Sequence, residues 1–169
     1  DPILTAEMAS ALTLGVQSNK HCAVTIKHFC CNNQEDNRMK SSSEVNERAL
    51  REIYLKAFKL TVRKAQPKCV MSSYNKVNGT YVNSSYDLLT NLLRCEFGFD
   101  GVVMTDWQSV AKDQAVARET ICAENDLIMA GDQYQHKELL NAVQSGKVSK
   151  TTLQRSASRI LNLCKNLNA

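Results

Sequence analysis

Two patterns of apolar residues alternate along the chain. Short uninterrupted runs predict buried strands, and runs recurring every three or four positions predict helices. Residues 4 to about 19 predict a helix capped by Thr5, with Met8, Ala11, Leu12 and Val16 on one face. Residues 24–29 predict a strand, and a polar loop covers 32–38. Ser41-Ser42-Ser43-Glu44 has the form of a capping box and predicts a helix to about Ala65, ended by Pro67. Its apolar stripe is Val45, Ala49, Ile53 and Ala57 with Leu50, Tyr54 and Phe58. Residues 69–74 predict a second strand, followed by a polar loop that turns at Asn78-Gly79. Ser85 caps a helix through Leu88, Leu89, Leu92 and Leu93, closed by Gly98. Gly98-Phe99-Asp100-Gly101 then turns into a third strand, Val102 to Met104, which runs out onto Asp106-Trp107. A helix at about 114–123, a fourth strand at 126–130 and helices at about 135–144 and 151–166 complete the pattern.

A helix followed by strand–helix units implies an α/β fold with parallel strands and right-handed crossovers. Four such units fit an open doubly wound sheet or about half of an eight-stranded barrel. Neither a GxGxxG nor a Walker motif follows any predicted strand, which removes the usual warrant for a nucleotide site.

Composition narrows this little. The chain has 169 residues, of which 43% are apolar and 22% charged, the balance of an ordinary globular domain. The net charge of +4 is spread among acids, as in Glu47-Arg48 and Arg51-Glu52, so a nucleic-acid partner is not expected. No apolar run approaches the roughly 18 residues of a membrane span. Seven cysteines, with no CxxC and no metal spacing, point to free thiols, hence to a reducing, cytoplasmic setting and no metal or other cofactor. Asn78-Gly79-Thr80 and Asn83-Ser84-Ser85 have the form of glycan acceptors, which matters only on a secretory route.

The polar residues collect at predicted strand ends: Lys27-His28, then Ser72-Ser73-Tyr74-Asn75, then Asp106-Trp107, then Asp132. In a parallel sheet these ends share one rim. A cation, an imidazole, a phenol, a carboxylate and an indole gathered there suit a sugar. Each has a plainer reading as well: a loop-capping Asp106, a snorkelling Lys27, a satisfied core His28, core Tyr74 and Trp107. A serine triad built on Ser72 or Ser73 with His28 lacks the GxSxG elbow.

Four ordered motifs carry a resemblance: Lys27-His28-Phe29; Asn32-Asn33-Gln34-Glu35 with Arg38; residues 70–75; and residues 98–107. Together they resemble the central motifs of the family-3 glycoside hydrolases, the β-glucosidase type. The resemblance implies part of a TIM (β/α) barrel, with residues 1–169 as one partial domain that lacks upstream strands and a downstream α/β domain. It implies Asp106 as the nucleophile of a retaining mechanism and Lys27, His28, Arg38, Met71, Tyr74 and Trp107 as the sugar subsite. The substrate would be a small β-glucoside or β-xyloside. The acid/base glutamate is expected outside this chain, so the isolated segment is expected to be inactive. Exposed strand edges would pair with other parts of the same parent protein or with a second copy. The competing reading is a non-catalytic carbohydrate-binding or scaffold half-barrel.

Overall fold

A computed structural model of the protein describes residues 1–168. Helix α1 (Pro2–Gln17) starts two residues earlier than its periodicity predicts. Asp1, not Thr5, is the cap: its carboxylate accepts from the Ile3 and Leu4 amides at 2.7 and 3.1 Å. The face turned inward is also not the apolar one. Ala6, Ser10 and Thr13 are buried, while Leu4, Met8 and Leu12 stand 63–68% exposed. Small side chains allow α1 to lie close against α3 (Lys56–Ala65).

Strands β1 (Thr25–Phe29), β3 (Cys69–Ser72) and β6 (Val102–Thr105) form a parallel sheet in the order β1-β3-β6. Residues 69–72 pair one-to-one with residues 102–105. The pairing of β1 slips between Ile26 and Phe29, leaving one extra residue in the stretch that holds Lys27 and His28. Such a bulge bends the strand and re-aims its side chains. The predicted fourth strand is reduced to a single parallel bridge, Met104 to Leu127. The reason lies in Asp126. Its carboxylate, rather than a backbone carbonyl, accepts from the Val103 amide at 3.0 Å.

Ser41–Glu44 does not cap a helix. Ser42–Ser43 is strand β2, paired with β4 (Lys76–Val77), which turns at Asn78-Gly79 into β5 (Thr80–Tyr81). Both turn residues have positive φ, the geometry that Asn-Gly supplies. The helix starts instead at α2 (Glu47–Ala49), where the Asn46 side chain accepts from the Ala49 amide at 2.8 Å. It passes through a π-helical stretch (Leu50–Tyr54) into α3. The wider turn shifts the register by one residue, so Leu55 is buried and Ile53 is turned out. Gln66, in the left-handed region, ends α3 just before Pro67.

Ser85 does cap the next helix: its hydroxyl accepts from the Leu88 amide at 3.3 Å. That helix (Asp87–Glu96) is wound in π form and buries Leu88, Leu89, Leu92 and Leu93. Helix α4 (Ala117–Cys122) is shorter than its pattern predicts, and α5 (Gln133–Gln144) and α6 (Lys150–Asn168) follow. Asp132 and Gln135 cap α5 reciprocally, so the rim carboxylate read at Asp132 is a helix cap. Phe29, Val70, Leu89, Leu93, Phe99 and Val103 are at the centre of the core between sheet and helices. Among the described residues no helix is long and apolar enough to cross a membrane.

Candidate active site

Asp106 follows directly on β6, whose buried valines fix the strand between β3 and residues 126–130. It is 8% exposed. The Asp106 amide donates to the Ser72 carbonyl at 3.2 Å, tying the strand end to β3. One carboxylate oxygen, Oδ1, accepts from the Trp107 amide at 2.7 Å. Asp106 therefore does cap its own loop, but with one oxygen only. The other, Oδ2, lies 3.3 Å from His28 Nε2.

The bulge in β1 delivers His28 to that position from two strands away. Burial holds the imidazole below its ordinary range. The Asp106 carboxylate opposes that shift, and Lys27 and Arg38 add to it. The ring is thus neutral at pH 7 and able to share an N–H with a carboxylate or a hydroxyl. The Tyr74 phenol lies beside the same carboxylate, and its acidity is weakened first by burial and then by the charge on Asp106. The Arg38 guanidinium stacks 4.7 Å above the Tyr74 ring and donates to Glu35 at 2.6 Å. Asp106, His28, Tyr74 and Arg38 are thus one connected cluster.

The remaining predicted residues stand around it. Lys27 is exposed beside His28. Both line a cavity of about 490 Å³ between β1, α1 and α3, with Leu12, Tyr54 and Phe58 on its walls. Met71 is half-buried in β3 opposite Met104. Trp107 is 56% exposed, so it is not core packing and presents its indole at the rim.

A layer that sequence reasoning missed supports the cluster. The Ser72 hydroxyl donates to Asn83 Oδ1 at 2.5 Å and accepts from Asn125 Nδ2 at 2.8 Å. Asn83 Nδ2 donates to the Ser109 carbonyl at 3.2 Å, and the Ser109 hydroxyl donates to the Asp106 carbonyl at 2.8 Å. This buried chain closes the loop that carries Asp106 and Trp107. In the sequence Asn83 shows only as a glycan acceptor, a role its complete burial removes. The Ser73 hydroxyl donates to the Cys30 carbonyl at 2.9 Å. Both serines are therefore buried and committed to structural partners, which removes the serine-hydrolase reading.

Three glutamates bear on the search for a second carboxyl. Glu35 pairs with Arg38, Glu96 with Arg51 and Lys59, and Glu124 with Arg94, Arg155 and Arg159. No group of three His, Cys, Asp or Glu side chains is arranged to hold a metal among the described residues.

Comparison with known proteins gives a consistent result. Residues 1–163 match the profile described as the glycosyl hydrolase family 3 N terminal domain. A β-glucosidase of Rhizobium radiobacter is 50% identical over 170 residues, covering 100% of this chain and 20% of that protein. One from Ruminococcus albus is 42% identical, covering 100% and 19%. Among solved structures, β-glucosidase 3B of Thermotoga neapolitana in complex with glucose superimposes with a TM-score of 0.91 at 45% identity, over 98% of this chain and 24% of that one. The GH3 β-glucosidase of Bifidobacterium adolescentis gives 0.92 at 35% identity, over 99% and 24%. The chain thus spans about a fifth of the length of the curated relatives it matches.

Proposed function

The chain belongs to glycosyl hydrolase family 3, and from that membership we propose that it carries the nucleophile and much of the sugar-binding surface of a retaining β-glucosidase. The observation that supports this best is the state of Asp106. It is a buried carboxylate at a parallel strand end, with Oδ1 held by a backbone amide and Oδ2 turned toward His28. A carboxylate so held is pre-oriented for attack on an anomeric carbon.

In this reading Oδ2 forms a bond to the anomeric carbon as the bond to the leaving oxygen breaks. A second carboxyl, about 5–5.5 Å away in a retaining pair, protonates that oxygen and then activates water to release the sugar. Glu96 and Glu124 are held in ion pairs with Arg51 and Arg94, and Glu35 is paired with Arg38 at the edge of the cluster, so we assign that role to a glutamate outside this chain. Lys27, His28 and Arg38 offer charged and N–H donors to the hydroxyls of the ring. Tyr74 steadies the nucleophile, Met71 lines the floor, and the exposed Trp107 face receives the apolar side of the pyranose.

The similarity to β-glucosidases, one solved with glucose, favours a β-glucoside as the substrate. Hydrolysis of an aryl β-glucoside by the full-length protein, with the β-anomer released first, is the expected behaviour. Asp106→Asn is expected to lower kcat by about 10⁴-fold or more. Glucose binding without turnover in the full-length protein would instead support a carbohydrate-binding scaffold.

A further inference from the structure

Cys30 and Cys31 are neighbours in sequence, and each thiol alters the acidity of the other. Cys30 is 0% exposed; Cys31 is 5% exposed and borders two cavities, of about 490 and 240 Å³. Hydrolysis as described above makes no use of either sulfur. The backbone of the pair, however, is a clamp. The Cys30 carbonyl accepts from Ser73 Oγ at 2.9 Å and from Asn75 Nδ2 at 3.3 Å. The Cys31 carbonyl accepts from Asn75 Nδ2 at 3.3 Å and Ser43 Oγ at 2.7 Å. These bonds fasten the end of β1, just after Lys27-His28, to the end of β3 and to β2.

We propose that Cys30 and Cys31 are a redox modification site: a vicinal dithiol that peroxide converts to a ring disulfide, loosening the clamp behind His28. Geometry favours the reaction because the two side chains are adjacent on the chain, so no separate element has to move to join them, and Cys31 lines both cavities. Interaction between the two thiols, with burial added at Cys30, pushes Cys31 below its ordinary range and Cys30 well above it, which makes Cys31 the attacking sulfur. The Cys31 thiolate attacks one oxygen of hydrogen peroxide, the O–O bond breaks, and Cys31 sulfenic acid and hydroxide form. The Cys30 sulfur then attacks the sulfenic sulfur, expelling the hydroxyl group, which leaves as water with the Cys30 proton. The hydroxide takes up the proton that Cys31 had lost. In sum two thiols and one peroxide give one disulfide and two waters. Joining adjacent side chains in so small a ring forces the Cys30–Cys31 backbone to twist, and the two carbonyls turn away from Ser73, Asn75 and Ser43.

The test uses the full-length protein, reduced or treated with hydrogen peroxide, then denatured, alkylated and digested with trypsin. Cleavage after Lys27 and Arg38 frees a peptide whose only cysteines are this pair. The expected peptide carries two alkyl groups in the reduced sample. After peroxide it carries none and is lighter than the unalkylated peptide by two hydrogens. Full alkylation after peroxide, arrest at a sulfinic acid, or a cross-link to another cysteine overturns the proposal. A second arm rests on the β-glucosidase reading, whereas the mass arm does not. Aryl β-glucoside hydrolysis is expected to fall by roughly 10- to 100-fold on oxidation, as when binding groups shift by about an ångström. Dithiothreitol is expected to restore it, and Cys31→Ser protein to show no response to peroxide. A disulfide that forms with hydrolysis unchanged would overturn the link between the pair and the site.

Discussion

Asp106 and Tyr74 illustrate how individual residues act at this site. One Asp106 oxygen is spent on the Trp107 amide; the other lies against His28 Nε2, and the Tyr74 phenol is beside the carboxylate. Tyr74→Phe removes the phenolic donor and leaves the ring under Arg38. Its expected effect is a fall in kcat of about 100-fold with a smaller change in KM, measured on the full-length enzyme. His28 ties the stability of the fold to pH. Its imidazole titrates near 6.5 in the unfolded chain and lower in the folded one, because burial penalises the charged form. Between those two values the unfolded chain binds a proton that the folded chain does not. The stability contribution is therefore fully present above 6.5 and is lost as the pH falls through that window. Thermal melts at neutral pH and at about pH 5 should show a larger drop for the wild type than for His28→Asn. An equal drop would mean that His28 is not held neutral by the fold.

The helix Asp87–Glu96 and strand β6 depend on charge buried between them. Arg94 donates to Asp126 at 2.6 Å, to the Gly101 carbonyl at 3.0 Å and to the Glu124 carbonyl at 2.9 Å, with 6% of its side chain exposed. Arg159 of α6 reaches the same two acids, at 3.0 and 2.7 Å. Arg94→Ala would remove the more deeply buried of the two arginines that hold Asp126, leaving Arg159 as its ion-pair partner, and is expected to cost about 3 kcal/mol in chemical denaturation. A loss below about 1 kcal/mol would place the network in the class of surface pairs. Elements of this kind were hard to read from the chain. Periodicity located β1, β3, β6 and most helices, because burial follows a period of two or 3.6. It missed the π-helical turn at Leu50–Tyr54, since a hydrogen bond to the fifth residue leaves no separate hydrophobic signature. It misplaced the cap at Ser41–Glu44, where the serines pair as a strand and the helix starts from Asn46. It also overstated the fourth strand, whose first residue spends its carboxylate on the ladder and on Arg94.

Across the whole molecule, parallel strands bring residues distant in sequence to one rim, which is why the cluster around Asp106 was legible in the sequence. His28, Tyr74 and Asp106 each follow an apolar run, and sheet order β1-β3-β6 puts those three strand ends side by side. The supporting chain of Ser72, Asn83, Asn125 and Ser109 was not legible. Buried amides and hydroxyls have no period and look in sequence like loop residues or glycan acceptors. Helix α1 misled for a related reason: its apolar stripe suggested an inward face, yet Ala6, Ser10 and Thr13 are the residues that pack. An exposed row of Leu4, Met8 and Leu12 beside the cavity at β1 is the kind of surface that a further layer of the same protein would cover. The most direct test of the account is to incubate the full-length protein with an activated 2-fluoro β-glucoside, which traps a glycosyl-enzyme, and to sequence the tryptic peptide 95–112 by mass spectrometry. The account predicts one fluoroglucosyl group on Asp106; its attachment to Asp100 or to any other residue, or no attachment in a protein that hydrolyses the parent glucoside, would contradict it.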